Sequence, residues 1–395
     1  MHKGSVQLDP TYQMTPEAAM LLACVRRFVR GGSHDELHEV LRGDIEWPLL
    51  IKMAEAQSVM PLVYRELESE FPGRAPQELR TRFQNHARSN LIQTAEIVKV
   101  LDLLEQSEIP AIPIKGPALA AWAYGNLTYR AFTDLDLLIH RDDVPLAKEA
   151  LVRAGFRLES DVHWPCASAY IRSKERELSF VRPANRVRVD LHWSLSPDYF
   201  AGALDGDQIW ENLATVPLAG RQVPALSPEI LLMFLCAHGS KHRWECLGWI
   251  CDVALVLRRT EIDWSRLLSR SRQAHIERMV LLGLRLAIDL FDVDLPANVV
   301  DRIQADSAIG DLAHEIQSGI LAPDSSHASP VKNGLFNLRM LKRFRDKINF
   351  LRGLLITPSE SEWRDLQLPP PLYFLYYPYR LARLAGRRAS AALPQ

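Results

Sequence analysis

The segment Ile112–His140 carries two acidic residues on one strand, and this pattern constrains the fold more than any other part of the chain. An apolar run leads into a Lys115-Gly116 turn and a short helix pattern, and a second apolar run begins with Asp134-Leu-Asp136. Successive side chains of a strand point to opposite faces, so the two carboxylates lie side by side. Because they repel unless a cation lies between them, and because hard oxygen ligands suit Mg²⁺, the pattern predicts a divalent cation site.

A third acid has the same kind of placement. In the segment Arg186–Trp193 apolar and polar residues alternate, which predicts a strand with Arg188, Asp190 and His192 on its polar face. Three acids on adjacent strands could hold two metal ions, the arrangement that stabilises the attacking and leaving oxygens of an in-line phosphoryl displacement. Two alternatives stay open: solvated acids at a strand edge for the Asp-Leu-Asp pair, and a cross-strand ion pair for Asp190.

Composition narrows the class of protein. A formal net charge of −1 argues against a broad electrostatic grip on nucleic acid, although a local basic patch is not excluded. No apolar run is long enough to span a bilayer, and no N-terminal segment has the pattern of a signal peptide. Five scattered cysteines are typical of reduced thiols. We therefore expect a cytoplasmic protein.

The hydrophobic period changes twice along the chain and predicts an α+β protein of three domains. Residues 1–105 form an N-terminal helical domain, residues 106–225 a small mixed-sheet core and residues 226–395 a C-terminal helical domain with a basic tail. The predicted N-terminal helices include Trp47–Gln57, Pro61–Glu70 and the long Gln77–Gln106.

The middle region has the signals of strands and turns. A strand over Ile109–Ile114 precedes a helix that starts with proline after the Lys-Gly turn. Asp142 is expected to cap a helix over Val144–Ala154. Glu177–Arg182 and Arg186–Trp193 flank a Pro-Ala-Asn turn and predict a β-hairpin.

These residues resemble a known family. Lys115-Gly116, Arg130, Asp134-Leu-Asp136-Leu-Leu and Asp190-Leu-His-Trp193 are similar to the uncharacterised nucleotidyltransferase family of the DNA polymerase beta superfold. Further matching segments are His238-Gly-Ser-Lys-His242-Arg-Trp244, Leu247-Gly-Trp249-Ile-Cys-Asp252 and Leu368-Pro-Pro-Pro-Leu372 with Leu375-Tyr-Tyr-Pro-Tyr-Arg-Leu381. The resemblance covers Ile109–Leu384 in patches. The chain departs from most active members of the superfold at the turn, where they carry Gly-Ser.

The resemblance implies a Mg²⁺-dependent nucleotidyltransferase. Such an enzyme transfers a nucleoside monophosphate from a nucleoside triphosphate to an acceptor and releases pyrophosphate, and analogy with the superfold favours ATP as the donor. Asp134, Asp136 and Asp190 would hold the metal ions, and Asp190 would also help remove the proton of the attacking hydroxyl. Lys115 and Arg130 would neutralise triphosphate oxygens, unless each pairs with an acid for structural reasons.

Further substrate contacts are expected along the cleft that faces the sheet. Gly116 would let the backbone approach the phosphates, or it simply makes the turn. The other residues assigned to substrate binding are His192, His238, Lys241 and His242. For the residues around His238 a polar packing seam between domains is an equal alternative, and the absence of a Cys-x-x-Cys pair argues against structural zinc.

Sequence leaves the acceptor open between a small molecule, a peptide, a protein and a nucleic-acid end, with nucleic acid disfavoured by the net charge. A different hypothesis is a non-catalytic nucleotide-binding or regulatory module that keeps the fold. A third, a membrane-peripheral protein, depends on the basic segment Arg380–Arg388.

Overall fold

A five-stranded mixed sheet forms the centre of the computed structural model, which describes residues 14–31, 35–159, 177–195, 207–320, 330–356 and, within 362–391, all but 363, 364 and 367. The strand order is β1-β2-β5-β4-β3, in which β2 and β5 are parallel and the other pairs antiparallel. The strands are β1 (Ala111–Pro113), β2 (Leu135–Ile139), β3 (Arg157–Leu158), β4 (Glu177–Arg182) and β5 (Val187–His192). The expected α+β class and the β4–β5 hairpin are confirmed.

Two helices lie beside this sheet and a separate hairpin follows it. The helices are α6 (Pro117–Ala123) and α7 (Val144–Arg153), and the hairpin pairs β6 (Ala214–Leu218) with β7 (Arg221–Ala225). The expected cap of α7 is wrong by one residue. Asp142 lies in a 3₁₀ turn in which the Asp143 amide donates to the His140 carbonyl, so Asp143 becomes the N-cap residue, without a side-chain capping bond.

Helices precede the sheet as the hydrophobic period predicts, and the long helix has the predicted bounds. They are α1 (Pro16–Arg30), α2 (Asp35–Val40), α3 (Trp47–Ala56), α4 (Met60–Glu70) and α5 (Gln77–Gln106). The short helix α8 (Asp207–Glu211) precedes β6.

The remainder is mostly helical. After β7 the helices are α9 (Pro228–Lys241), α10 (Leu247–Arg259), α11 (Trp264–Gln273), α12 (Glu277–Phe291), α13 (Ala297–Ala305), α14 (Ser307–Ile320), α15 (Pro330–Met340), α16 (Phe344–Leu355) and α17 (Tyr376–Ala391). Ser227 caps α9 as predicted, because its side chain accepts from the Ile230 amide. No helix in the described ranges is both long and apolar enough to cross a membrane.

Two hydrophobic cores hold the elements together. One joins α1, α3 and α4 to α9, α10 and α12, so helices that precede and follow the sheet in sequence share a single interior. The other lies between α5, α7 and the sheet and includes the buried Tyr376 of α17. Alternation in β2 sends Leu135, Leu137 and Ile139 into this second core and leaves the acids on the opposite face.

Candidate active site

Strand register brings the acids together. Asp134 immediately precedes β2, and in the parallel β2–β5 pair Asp136 lies directly opposite Asp190. On the other side of β2, the Ile114 amide donates to the Asp136 carbonyl at 3.0 Å. This bond extends the pairing one residue beyond β1 and brings the next residue, Lys115, close to the acids. The sheet thus positions all four side chains through backbone pairing.

The three carboxylates form a compact cluster. Each offers an oxygen within 4.8 Å of the others. Asp136 and Asp190 are each 5% exposed, whereas the Asp134 side chain is 33% exposed. The buried Oδ2 of Asp136 is contacted by the ammonium of Lys115 at 3.2 Å. An all-oxygen set of this kind, with one side accessible to solvent, fits a hard divalent cation that retains water and substrate ligands.

Two basic side chains lie against Asp136. Lys115 Nζ is 3.2 Å from Asp136 Oδ2 and 4.0 Å from Asp134 Oδ2, and His192 Nε2 is 2.9 Å from Asp136 Oδ1. Burial disfavours the Asp136 carboxylate, but the hydrogen bond with His192 and the charge of Lys115 outweigh it and lower its pKa well below the usual range. Asp136 is therefore ionised, with Lys115 and His192 each in contact with one of its carboxylate oxygens.

Asp190 has a different environment. Arg188 Nε donates to Asp190 Oδ1 at 3.0 Å, and Arg188 also bonds Ser179 at 3.0 Å on the neighbouring strand. Burial raises the pKa of Asp190 against the opposing effects of Ser179 and Arg188, and the nearby Asp136 charge raises it further. Arg188 was not predicted to belong to the site, although its place on the polar face of β5 was predicted.

Gly116 makes the turn that leads into α6. Its φ is +60° and its ψ −131°, and a Cβ built on it would lie 3.5 Å from the Asp134 carbonyl. Residues with a side chain rarely adopt this conformation, so glycine is required for the backbone shape. The turn holds Lys115 beside the acids.

The structure places Arg130 in a buried ion pair. Its guanidinium donates two bonds of 2.8 Å to the two carboxylate oxygens of Asp252 on α10, and the Tyr124 hydroxyl donates to Asp252 at 2.6 Å. Burial lowers the pKa of Arg130, but the charge and hydrogen bonds of Asp252 outweigh it and raise the pKa of Arg130 above the usual range. Arg130 thus fixes the loop before β2 to α10, and its assignment to the phosphates stays a prediction.

Helix α5 holds the same loop through its polar side chains. Asn90 Nδ2 donates to the carbonyls of Leu127 and Arg130 at 2.7 and 2.9 Å, and Gln93 Nε2 donates to Phe132 at 3.4 Å. Sequence analysis missed these contacts. The available signal was a pair of amide side chains three residues apart on an otherwise amphipathic helix.

An aromatic and imidazole cluster lies at the end of α9. The His238 and His242 rings are 4.9 Å apart, and Trp249 of α10 lies 5.3 and 5.5 Å from them. Burial and the charges of Lys115 and of the exposed Lys241 lower the pKa of both imidazoles, that of His242 to about 4. Both imidazoles are therefore neutral at pH 7.

Trp244 fixes the position of this cluster. Its ring is fully buried between Gly239 of α9 and Gly283 of α12, and a Cβ built on Gly239 would lie 2.6 Å from the indole. Arg243 and Trp244 form the turn after α9 that places this ring, and their φ values are +54° and +53°. Close packing therefore explains both glycines.

Comparison with known proteins gives one family. A family model described as "Uncharacterised nucleotidyltransferase" matches residues 43–292, more than half of the chain. The match includes the acids and the His238–Asp252 region and ends before the tail segments quoted above. No curated protein matches significantly. The solution structure of the antibiotic-resistance factor ANT(2'')-Ia aligns at 14% identity over 58% of this chain and 99% of that chain, with a TM-score of 0.29.

Proposed function

The chain belongs to the uncharacterised nucleotidyltransferase family, and from this premise we propose that it uses Mg²⁺ and ATP to transfer AMP to an acceptor oxygen. The general activity, nucleotidyl transfer from a nucleoside triphosphate, is that of the family. The metal, the donor base and the acceptor are the parts we propose.

The observation that carries the proposal is the strand register. Pairing of β2 with β5 sets Asp136 opposite Asp190, and Asp134 completes a cluster of oxygens within 4.8 Å. Carboxylates at this distance repel one another, and a divalent cation among them would offset this repulsion. When bound, Mg²⁺ supplies charge neutralisation at the phosphoryl oxygens and at both reacting oxygens.

The residues themselves have separable roles in the proposed reaction. The acceptor oxygen forms a bond to the α-phosphorus, the bond from this phosphorus to the oxygen bridging to the β-phosphorus breaks, and pyrophosphate leaves. Asp190 would receive the proton of the acceptor hydroxyl, and the bond from Arg188 Nε orients its carboxylate for this role. His192 keeps Asp136 ionised and oriented.

Lys115 and Gly116 support the binding of the triphosphate. The ammonium of Lys115 lies within 4.0 Å of two acids in the nucleotide-free protein and can turn to phosphate oxygens when cations reach those acids. Gly116 has no side chain to cover the backbone next to Lys115. The ammonium charge of Lys115 would thus replace the phosphate contact that the Gly-Ser turn makes in most active members of the superfold.

The cluster of His238, His242 and Trp249 supports a stacking surface for the base or the acceptor. Neutral imidazoles and an indole offer flat faces and uncharged hydrogen-bonding groups. The His238 and His242 rings are tilted to one another at 4.9 Å, and Trp249 meets His238 edge to face at 5.3 Å. A small molecule, a peptide or a protein is the favoured acceptor.

The test is transfer of label. The protein is incubated in a cell extract with Mg²⁺ and each of four α-labelled nucleoside triphosphates, in parallel with Asp136→Asn and with Asp142→Asn, an exposed acid outside the cluster. We expect label from ATP on one product for the parent and for Asp142→Asn, and none for Asp136→Asn. Equal labelling by all three proteins would contradict the assigned site.

The same samples distinguish the non-catalytic alternative. That hypothesis predicts that filter-bound nucleotide is retained by the parent while no product is labelled with any of the four donors. Binding together with transfer would exclude it.

A further inference from the structure

Charge is unevenly distributed along the chain. Residues 330–395 contain twelve Lys and Arg residues and four Asp and Glu residues, a surplus of eight positive charges. Since the whole chain carries −1, the preceding 329 residues carry −9. The C-terminal segment is therefore strongly basic on an acidic body.

Within this segment, α16 exposes a row of large apolar side chains. Phe344, Ile348, Leu351 and Leu355 follow the helical spacing of one face and are 77%, 41%, 38% and 42% exposed. The opposite side of the helix carries the buried Phe350. The row therefore faces solvent, while the opposite face of α16 packs against the protein.

Cationic side chains border the row on both sides. At 100° per residue, Lys347 lies along one edge of the row, and Arg345 and Arg352 along the other. These three form no ion pair within the described chain, whereas the neighbouring Lys342 is paired with Glu277 and Asp306. Their charge is available to an external anion.

Helix α17 lies against the end of α16. Arg380 of α17 donates to the Leu354 carbonyl at 2.8 Å, which ties the two helices together. Further exposed apolar residues lie in the 3₁₀ helix Pro370–Leu375 and in the first two turns of α17. They are Leu372, Phe374, Leu375, Tyr377 and Leu381.

We propose that the face formed by α16 and the start of α17 docks on an anionic lipid bilayer. In this arrangement the row from Phe344 to Leu355 enters the boundary between headgroups and acyl chains, and Arg345, Lys347 and Arg352 contact anionic headgroups. The inference concerns where the enzyme works and does not depend on the proposed donor or acceptor.

Charge complementarity favours a bilayer over the other occupants of such a face. A second copy that paired through the same face would bring two basic segments together, which is repulsive. Nucleic acid would bind the cationic side chains but leave the apolar row exposed to water. A bilayer surface offers negative charge and an apolar layer in one plane.

Vesicle sedimentation tests the proposal. The full chain is mixed with phosphatidylcholine vesicles and with vesicles of phosphatidylcholine and phosphatidylglycerol in equal parts. We expect binding to the anionic vesicles, weakening with salt. Phe344→Ser with Ile348→Ser should reduce the affinity about tenfold or more, and Arg345→Gln with Arg352→Gln about fivefold for each charge.

Matched controls separate this surface from general effects. Leu146→Ser removes a side chain that is 56% exposed on α7, and Arg259→Gln removes an exposed charge on α10; both should bind like the parent. All variants alter exposed side chains, and circular dichroism checks their folding. No binding to anionic vesicles at low salt, equal binding by the α16 variants, or a dimer in sedimentation velocity that the Phe344 and Ile348 changes dissociate would each overturn the proposal.

Discussion

Replacement of Asp252 by Asn is predicted to destabilise the protein strongly, because it leaves the Arg130 guanidinium buried without a counter-charge. The two side chains are 8% and 2% exposed and share two bonds of 2.8 Å. Solvent therefore screens the pair little, and the substitution retains an acceptor for Tyr124.

Removing one partner of a buried ion pair costs about 3–5 kcal/mol. With an unfolding entropy of about 2.1 cal/mol/K per residue, a cooperative unit of the size of this chain loses about 1.2 °C of Tm for each kcal/mol. Asp252→Asn should therefore lower Tm by about 4–6 °C. Removing both charges, in Arg130→Met with Asp252→Asn, should restore most of this loss, because no unpaired charge remains.

The assays are thermal unfolding for Tm and urea unfolding for the free energy, each followed by tryptophan fluorescence and circular dichroism. Glu78→Gln is the matched control, since it breaks an exposed pair with Arg82 and should leave the stability close to that of the parent. An Asp252→Asn protein within about 1 kcal/mol of the parent would refute the reasoning, and so would a double variant no more stable than the single one. Label transfer by the double variant then tests the Arg130 assignment: stability without activity favours a phosphate contact, and retained activity favours a structural role.

Three further predictions follow from packing and charge. Lys115→Gln should lower the stability of the metal-free protein and tighten Mn²⁺ binding, because it removes a cation 3.2 Å from an acid; weaker Mn²⁺ binding in a calorimetric titration would contradict this. The free energy of unfolding should fall as pH drops from about 6.5 to about 4, because the His242 imidazole stays neutral in the folded protein and is protonated in the unfolded one; His242→Gln should reduce the slope. Gly239→Ala should cost about 1–3 kcal/mol in urea unfolding, since its Cβ would meet Trp244, whereas Gly310→Ala, with open space around it, should be neutral or stabilising.

The period of the strands made the acid cluster predictable. Asp134, Asp136 and Asp190 each belong to an alternating segment, and alternation fixes the face on which a side chain lies without knowledge of the fold. The bounds of α5 and the cap at Ser227 were predictable for the same reason: the signals are local.

Contacts between distant parts of the chain could not be predicted in this way. Arg130 and Asp252 are 122 residues apart, and no local pattern pairs them. The β6–β7 hairpin was missed because its turn has positive φ at Ala219 as well as Gly220, and alanine is not a residue that signals such a turn. The apolar row of α16 has helical spacing in the sequence, but only the structure shows that it faces solvent.

Electron paramagnetic resonance of Mn²⁺ measures whether the three acids bind a divalent cation. We expect the parent chain to immobilise Mn²⁺, Asp134→Asn and Asp190→Asn each to abolish most of this binding, and Asp142→Asn to leave it unchanged. Undiminished Mn²⁺ binding in folded Asp190→Asn protein would contradict this expectation.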